Sequence, residues 1–197
     1  LKTEVEGKAV LEVGSGRGGG AKHIASALKP ASYIGMDLAQ NAVDLANKLH
    51  RVPNLKFIQG SAEAIPLPDN SIDVVINVES CHAYGDVEKF ISEVKRVLKP
   101  DGVLALVDFR DAEKMNILRQ QLKESGLQWI QEENICSNVI QAIEAEDEVK
   151  KARIEKLFPQ KWQKLFGEFA GVVGSKFYTK LKCGTKVYHR FVLKKTI

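Results

Sequence analysis

A chain of 197 residues with 44% hydrophobic and 27% charged side chains has the make-up of one globular domain with a sizeable core, which excludes a disordered or fibrous protein. The net charge of +4 comes from lysines scattered along the chain, so no nucleic-acid partner is expected. No apolar run approaches the ~20 residues that span a bilayer, which speaks against stable membrane insertion. No secretory leader is legible, and Cys81, Cys136 and Cys183 lie too far apart for a disulfide framework or a CxxC zinc site. A cytoplasmic location without a metal fits.

Strand-like and helix-like stretches alternate from the start. Residues 8–13 (KAVLEV) read as a short buried strand running into Gly14-Ser15-Gly16-Arg17-Gly18-Gly19-Gly20, which holds five of the chain's 15 glycines. GGAKHIASALK follows as a helix with Ile24 and Leu28 on one face. SYIGMD, residues 32–37, is the second strand. AQNAVDLANKLHR is an amphipathic helix with Val43, Ala46, Leu49 and His50 near one face. NLKFIQG and SIDVVINV are the third and fourth strands. DVEKFISEVKRVLK is a helix with Val87, Phe90, Ile91, Val94, Val97 and Leu98 at helical spacing, stopped by Pro100-Asp101-Gly102, and GVLALVDF is the fifth strand. LQWIQEENI reads as a sixth strand, residues 137–170 as one or two helices broken at Pro159, and TKVYHRFVLKK, residues 185–195, as a final edge strand.

Strands joined by helical crossovers imply right-handed βαβ units on a parallel sheet, with ligands bound beyond the carboxyl ends of the strands. The glycine stretch is the first such loop. It lacks the Lys-Ser/Thr pair of a phosphate-cradling GxxxxGK[ST] loop. Gly14, Gly16 and Gly19 satisfy the dinucleotide pattern GxGxxG, so a nicotinamide-dependent oxidoreductase stands as an alternative. Asp37, some 20 residues past the loop, is placed to accept both hydroxyls of a ribose.

Glu12, Gly14, Gly16 and Gly18 also form an acid followed by GxGxG, which resembles motif I of the class I S-adenosylmethionine-dependent methyltransferases. The block from Gln59 to Phe109 resembles the central part of the UbiE/Coq5-type small-molecule methyltransferases. The resemblance implies a Rossmann-like α/β fold: a seven-stranded, mostly parallel sheet with an antiparallel last strand and helices on both faces. It implies S-adenosylmethionine as cofactor and S-adenosylhomocysteine as product. Cofactor contacts would come from Glu12 near the ammonium, the loop at Gly14, Ser15, Gly16 and Gly18, and from Asp37, Leu38 and Asn77. Ser61, standing where the family has an Asp on the adenine amino group, and Ala62 complete the set. One methyltransferase domain over residues 1–197 is expected, with a cofactor core at 1–126 and substrate-side helices and a closing hairpin at 127–197. A helical segment that precedes the first strand in relatives is expected to lie before Leu1.

Methyl transfer to an alcohol needs a base that takes up the hydroxyl proton. NVESCHAYGD, after the fourth strand, offers His82, and the fifth strand ends at Asp108. Adjacent strand ends can bring the two together as a catalytic pair, the carboxylate orienting the imidazole. NVESCHAY resembles the corresponding loop of bacterial O-methyltransferases acting on sugars and on phthiocerol-type lipids, some of which use such a pair. Tyr84 would line the acceptor pocket. Phe158, Trp162, Leu165, Phe166 and Phe169 form an apolar stripe that either docks on the core or lids an apolar substrate, with Trp162 and Phe166 as candidate acceptor contacts. The reading is therefore methyl transfer to a small, hydroxylated and apolar or lipid-like molecule with His82 as general base, C-methylation of a quinone, sterol or lipid being the variant left open.

Overall fold

The computed structural model describes residues 5–196. Among these, seven strands alternate with helices: β1 (Ala9–Val13), α1 (Gly19–Ala27), β2 (Ser32–Asp37), α2 (Gln40–Leu49), β3 (Leu55–Gln59), β4 (Ile72–Val78), α3 (Val87–Val97), β5 (Leu98–Asp111), α4 (Ala112–Glu124), β6 (Gln128–Asn134), α5 (Cys136–Leu157), α6 (Gln160–Ala170), α7 (Lys176–Lys182) and β7 (Lys186–Lys194). The strands form one sheet in the order β3-β2-β1-β4-β5-β7-β6. β1 to β5 pair in parallel. β7 runs antiparallel to β5, since Asp101 N–H donates to Lys195 O (2.9 Å) while Ala112 N–H donates to Thr185 O (3.1 Å). This is a Rossmann-like fold. Because each parallel crossover is right-handed, the reversal of strand order at β1 and β4 puts α1 and α2 on one face and α3 on the other.

The central strands are apolar on both faces, as sandwiching between helix layers requires. Val10, Leu11, Val13, Val74, Val75 and Ile76 are all buried. On one side Ala21 and Ala25 of α1 and Val43 and Ala46 of α2 pack with Tyr33 and Phe57. Leu49, expected on that face, is 58% exposed because α2 ends there. On α3, Phe90, Ile91, Val94 and Val97 are buried at the expected spacing. Asp86 caps its N-terminus by accepting from Lys89 N–H at 2.8 Å.

Two expectations for the C-terminal part need correction. The tail strand is not at the edge: β7 is inserted between β5 and β6, and Tyr188, Phe191 and Leu193 are buried. Alternation reports which face is solvated, not whether both sides are paired. The edge is β6, whose Glu132 and Glu133 suit an exposed ladder. The expected closing hairpin is instead a helix followed by a strand. Lys176–Lys182 is α7, capped by Ser175, which accepts from Tyr178 N–H at 3.2 Å. Gly174 (φ 90°) and Gly184 (φ 76°) flank it as turns.

The chain divides into two compact units, and the division does not fall at residue 126. The first comprises residues 5–108, Ile117–Glu132 and 190–196; the second comprises Phe109–Asn116 and Glu133–His189. Within the second, Tyr178 Oη donates to Glu144 (2.5 Å) and Val173 N–H donates to Asp147 (2.7 Å), tying α7 and the preceding loop to α5.

Phe90, fully buried, also meets the Tyr84 ring edge-on at 5.0 Å between centroids. Phe90→Ala is expected to cost about 3–5 kcal/mol in chemical denaturation, the usual loss for emptying a phenyl site.

Candidate functional site

The strand order reverses between β1 and β4, and their carboxyl ends form the site. The Gly14 and Ser15 N–H groups both donate to Met36 O (2.8 and 3.0 Å), which turns the chain across the end of β2. Gly16 N–H donates to Asp37 Oδ2 at 2.7 Å, and Ala39 N–H donates to Oδ1 at 3.0 Å. The Asp37 carboxylate is thus fixed at the strand end with lone pairs to spare on both oxygens. Gly14 adopts φ 80°, and a Cβ there would run into the Ser80 side chain and reach within 3.0 Å of Tyr84 Oη. Only glycine meets both demands.

Opposite this loop, β4 leaves the sheet through Glu79, whose φ of 50° is a strained value for a side-chain-bearing residue. A tight turn at Cys81–Ala83 follows. The Asn77 amide N–H groups donate to Val13 O (2.9 Å), Ser80 Oγ (2.8 Å) and Tyr84 Oη (3.0 Å), and Ser80 Oγ also donates to Val13 O (3.1 Å). Burial pushes the Tyr84 hydroxyl up to about 12, so it stays protonated and serves as donor rather than base. Between the loops lies a cavity of about 430 Å³. Gly14, Asp37, Leu38, Ser61, Ala62 and Tyr84 line it, as do Val13, Met36, Gly60, Glu63, Glu79, Ser80, Ala83 and Gly85.

A pair of side chains stands beside this cavity. Val78 pairs with Val107 in the β4–β5 register, and Glu79 N–H donates to Val107 O at 2.8 Å. Asp108 therefore comes level with the 79–82 loop. His82 Nδ1 lies 2.7 Å from Asp108 Oδ1, and Cys81 Sγ–H donates to Oδ2 at 3.1 Å. Asp108 is fully buried, while the His82 side chain is 32% exposed. A carboxylate accepts, so Nδ1 carries a proton, and in the neutral form of the ring the lone pair is then on Nε2.

A methyltransferase domain model matches residues 11–106. A phthiotriol/phenolphthiotriol dimycocerosates methyltransferase of Mycobacterium leprae (strain TN) is 35% identical over 190 residues, covering 96% of this chain and 70% of that protein. The chain belongs to the S-adenosylmethionine-dependent methyltransferases. A fatty-acid O-methyltransferase of Mycolicibacterium smegmatis (strain ATCC 700084 / mc(2)155) is 32% identical over 193 residues, 96% of this chain and 69% of that one. Phosphoethanolamine N-methyltransferase 2 of Haemonchus contortus, solved with S-adenosyl-L-methionine, shares the fold with a TM-score of 0.80 at 20% identity, over 98% of this chain and 50% of that one. The enzyme is thus a methyltransferase and its cofactor is S-adenosylmethionine, which displaces the oxidoreductase alternative.

The residues present fit that cofactor. The cavity has the size of a small-molecule site. Bare backbone at Gly14 and Gly60 forms two walls, and a Cβ at Gly60 would overlap Met36 Sδ at 2.6 Å. Among the described residues, the buried Ser15 Oγ and Asn77 Oδ1 next to this wall have no hydrogen-bond partner. The remaining sequence-predicted residues lie behind the lining. Gly16 holds Asp37, Gly18 packs under the Phe57 ring, and Asn77 braces β4 against β1. Ser61 Oγ also accepts from Glu63 N–H (3.2 Å), shaping its own turn. Sequence reasoning missed Gly60, Glu63 and Ser80. A lone glycine at a strand end was the available signal for the first, whereas nothing local marks the other two. Trp162 and Phe166 sit on α6 in the second unit, Phe166 stacked on Phe158 at 3.6 Å and Trp162 47% exposed. Among the described residues, no group of three or more His, Cys, Asp or Glu side chains is arranged to hold a metal ion.

Glu12 is buried at the end of β1 and accepts from Tyr33 Oη at 2.9 Å. Burial pushes its carboxyl from 4.5 up to about 7, against the lowering effect of the Tyr33 hydrogen bond. The folded chain keeps a proton there that the unfolded chain releases near 4.5. Stability therefore falls as pH rises from about 4.5 to 7 and levels off above, by up to about 3 kcal/mol. Melting temperatures of the cofactor-free protein across this range should decline in the wild type, and Glu12→Gln should remove most of that decline.

Proposed function

We propose that the enzyme methylates a hydroxyl oxygen of a small lipid-like molecule, with His82 as general base. The observation that supports this best is the 2.7 Å contact between His82 Nδ1 and the fully buried Asp108. A fatty acid or another carboxylic acid reaches a neutral site already ionised and needs no base. A hydroxyl must lose its proton as the oxygen–carbon bond forms. An oriented imidazole next to the cofactor cavity therefore favours an alcohol acceptor. The acceptor class draws on the relatives, whose names specify phthiotriol dimycocerosates and fatty acids.

When bound, S-adenosylmethionine supplies a methyl group on a sulfonium, whose sulfur leaves as a neutral thioether. The Gly14 loop and Asp37 would hold this ligand, with Leu38, Ser61 and Ala62 toward its adenine and Glu12 behind its amino-acid end. His82 Nε2 would take up the hydroxyl proton of the acceptor, leaving its oxygen free to receive the methyl group that the cofactor would supply. Asp108 keeps Nδ1 protonated, so that Nε2 is the basic atom, and stabilises the imidazolium that results. Cys81 holds the second Asp108 oxygen and so fixes the plane of the carboxylate.

Calorimetry with S-adenosylhomocysteine should show micromolar-range binding, weakened at least ~10-fold in Asp37→Ala, the loss expected for a charge-assisted hydrogen bond pair. Turnover on an alcohol acceptor should fall ~10²–10⁴-fold in His82→Ala while that affinity holds. Asp108→Asn should do the same, because the amide presents a donor to Nδ1 and reverses the tautomer. Unchanged turnover in His82→Ala, or product methylated on carbon, would remove the base from the scheme.

A further inference from the structure

We propose that Arg96 is a positioning residue for the cofactor: with Glu93 it holds residues 60–67 in the arrangement that walls the cavity. Arg96 stands in the last turn of α3, outside the cavity lining. A guanidinium offers five N–H groups in one plane. Here each of the five has an acceptor. Nε and Nη2 donate to the two Glu93 oxygens at 2.8 Å each. Nη2 also donates to Ile65 O (2.8 Å), while Nη1 donates to Leu67 O (2.9 Å) and to Asp69 Oδ1 (2.7 Å). Glu93 Oε2 in turn accepts from Ile65 N–H at 2.7 Å. One ion pair therefore holds both the N–H and the carbonyl of Ile65.

The hold reaches the cavity through Pro66. Ile65 is buried, and Pro66 beside it packs so close to Gly60 that a Cβ there would stand 2.9 Å from Pro66 Cδ. Gly60, Ser61, Ala62 and Glu63 line the cavity. Ala64 N–H donates to Ser61 O (3.2 Å), which closes a turn between that wall and Ile65. At its other end Glu63 Oε1 accepts from Asp86 N–H (3.0 Å), at the N-terminus of α3. The segment between β3 and β4 is thus strung along α3, pinned at Glu63 by the start of the helix and at Ile65 and Leu67 by its last turn. Residues 60–67 lie outside the helices and strands, so side chains rather than a continuous backbone ladder fix their shape. An isolated exposed ion pair would contribute little, but a bidentate pair within a network of charge-assisted hydrogen bonds is the exception. A wall ordered in advance spares the ligand the cost of ordering it. This positioning role presupposes that the cavity is the cofactor site.

The test compares the wild-type chain with Arg96→Lys and Glu93→Gln, with S-adenosylhomocysteine as the probe. Lysine keeps the charge but concentrates it on one ammonium and cannot make the fork. Affinity by calorimetry should fall ~10-fold in Arg96→Lys, the order of loss expected when a binding wall is misplaced, while circular dichroism stays that of the wild type. Glu93→Gln replaces one acceptor with a donor that faces the Ile65 N–H or the guanidinium, and affinity should fall in it too. Hydrogen exchange supplies the readout that a role in stability alone would not move. In ligand-free Arg96→Lys the amides of residues 60–67 should exchange faster, those of residues 14–20 and of β4 should keep their rates, and saturating S-adenosylhomocysteine should restore the wild-type pattern. Wild-type affinity in both variants overturns the proposal. Faster exchange spread evenly over the chain, or failure of both variants to fold, overturns it as well and makes Arg96 a residue of general stability. A wild type that does not bind S-adenosylhomocysteine overturns the reading of the cavity and this proposal with it, so the wild-type titration tells the two failures apart.

Discussion

The site depends on a missing side chain. At Gly14 the β1–α1 loop comes so close to Ser80 and Tyr84 that a Cβ has no room, and the backbone there takes a left-handed turn. That close approach lets Asn77 and Ser80 donate to Val13 O, which ties β4 to β1 just below the cavity. The same turn directs Gly16 N–H at Asp37. Two loops from different strand ends are thereby locked to one another, and the cavity wall is as rigid as the sheet beneath it.

Parallel register does comparable work on the other side. β4 is paired with β5 without a break from Val74 to Val78, and the first residue past Val107 is Asp108. The Cys81–Ala83 turn then folds back and puts a thiol and an imidazole on the two carboxylate oxygens. Glu12 is the counterpart near β1: another carboxyl inside an apolar sheet, held by a tyrosine from the neighbouring strand. A buried polar group without a partner is costly, and each of these has been given one from an adjacent element.

Much of this was legible in the residues. The first five strands and their helices follow from hydrophobic periodicity, because a parallel sheet buries continuous apolar runs and the crossover helices carry wide apolar stripes. His82 and Asp108 could be paired because strands four and five had to be neighbours. The failures have physical causes. Short lysine-rich segments such as Lys176–Lys182 have weak periodicity, so the helix there reads as a strand of a hairpin. The place of β7 between β5 and β6 is a long-range pairing, invisible to local pattern. The stripe on α6 was legible as apolar, but sequence alone cannot say which way a helix faces, and Trp162, Leu165 and Phe169 point to solvent. The left-handed Glu79 and the involvement of Ser80 likewise depend on the other loop.

Asp37 shows what such an arrangement means for binding. Its two oxygens are held by the Gly16 and Ala39 N–H groups, so the carboxylate has one orientation. The rotamer entropy of that side chain is lost when the chain folds, not when a ligand arrives. With Asp37 in its proposed role, selectivity at this corner becomes a matter of shape: a diol presented at the right span would meet a fixed acceptor, and a single hydroxyl or a bulkier group one that cannot adjust to it.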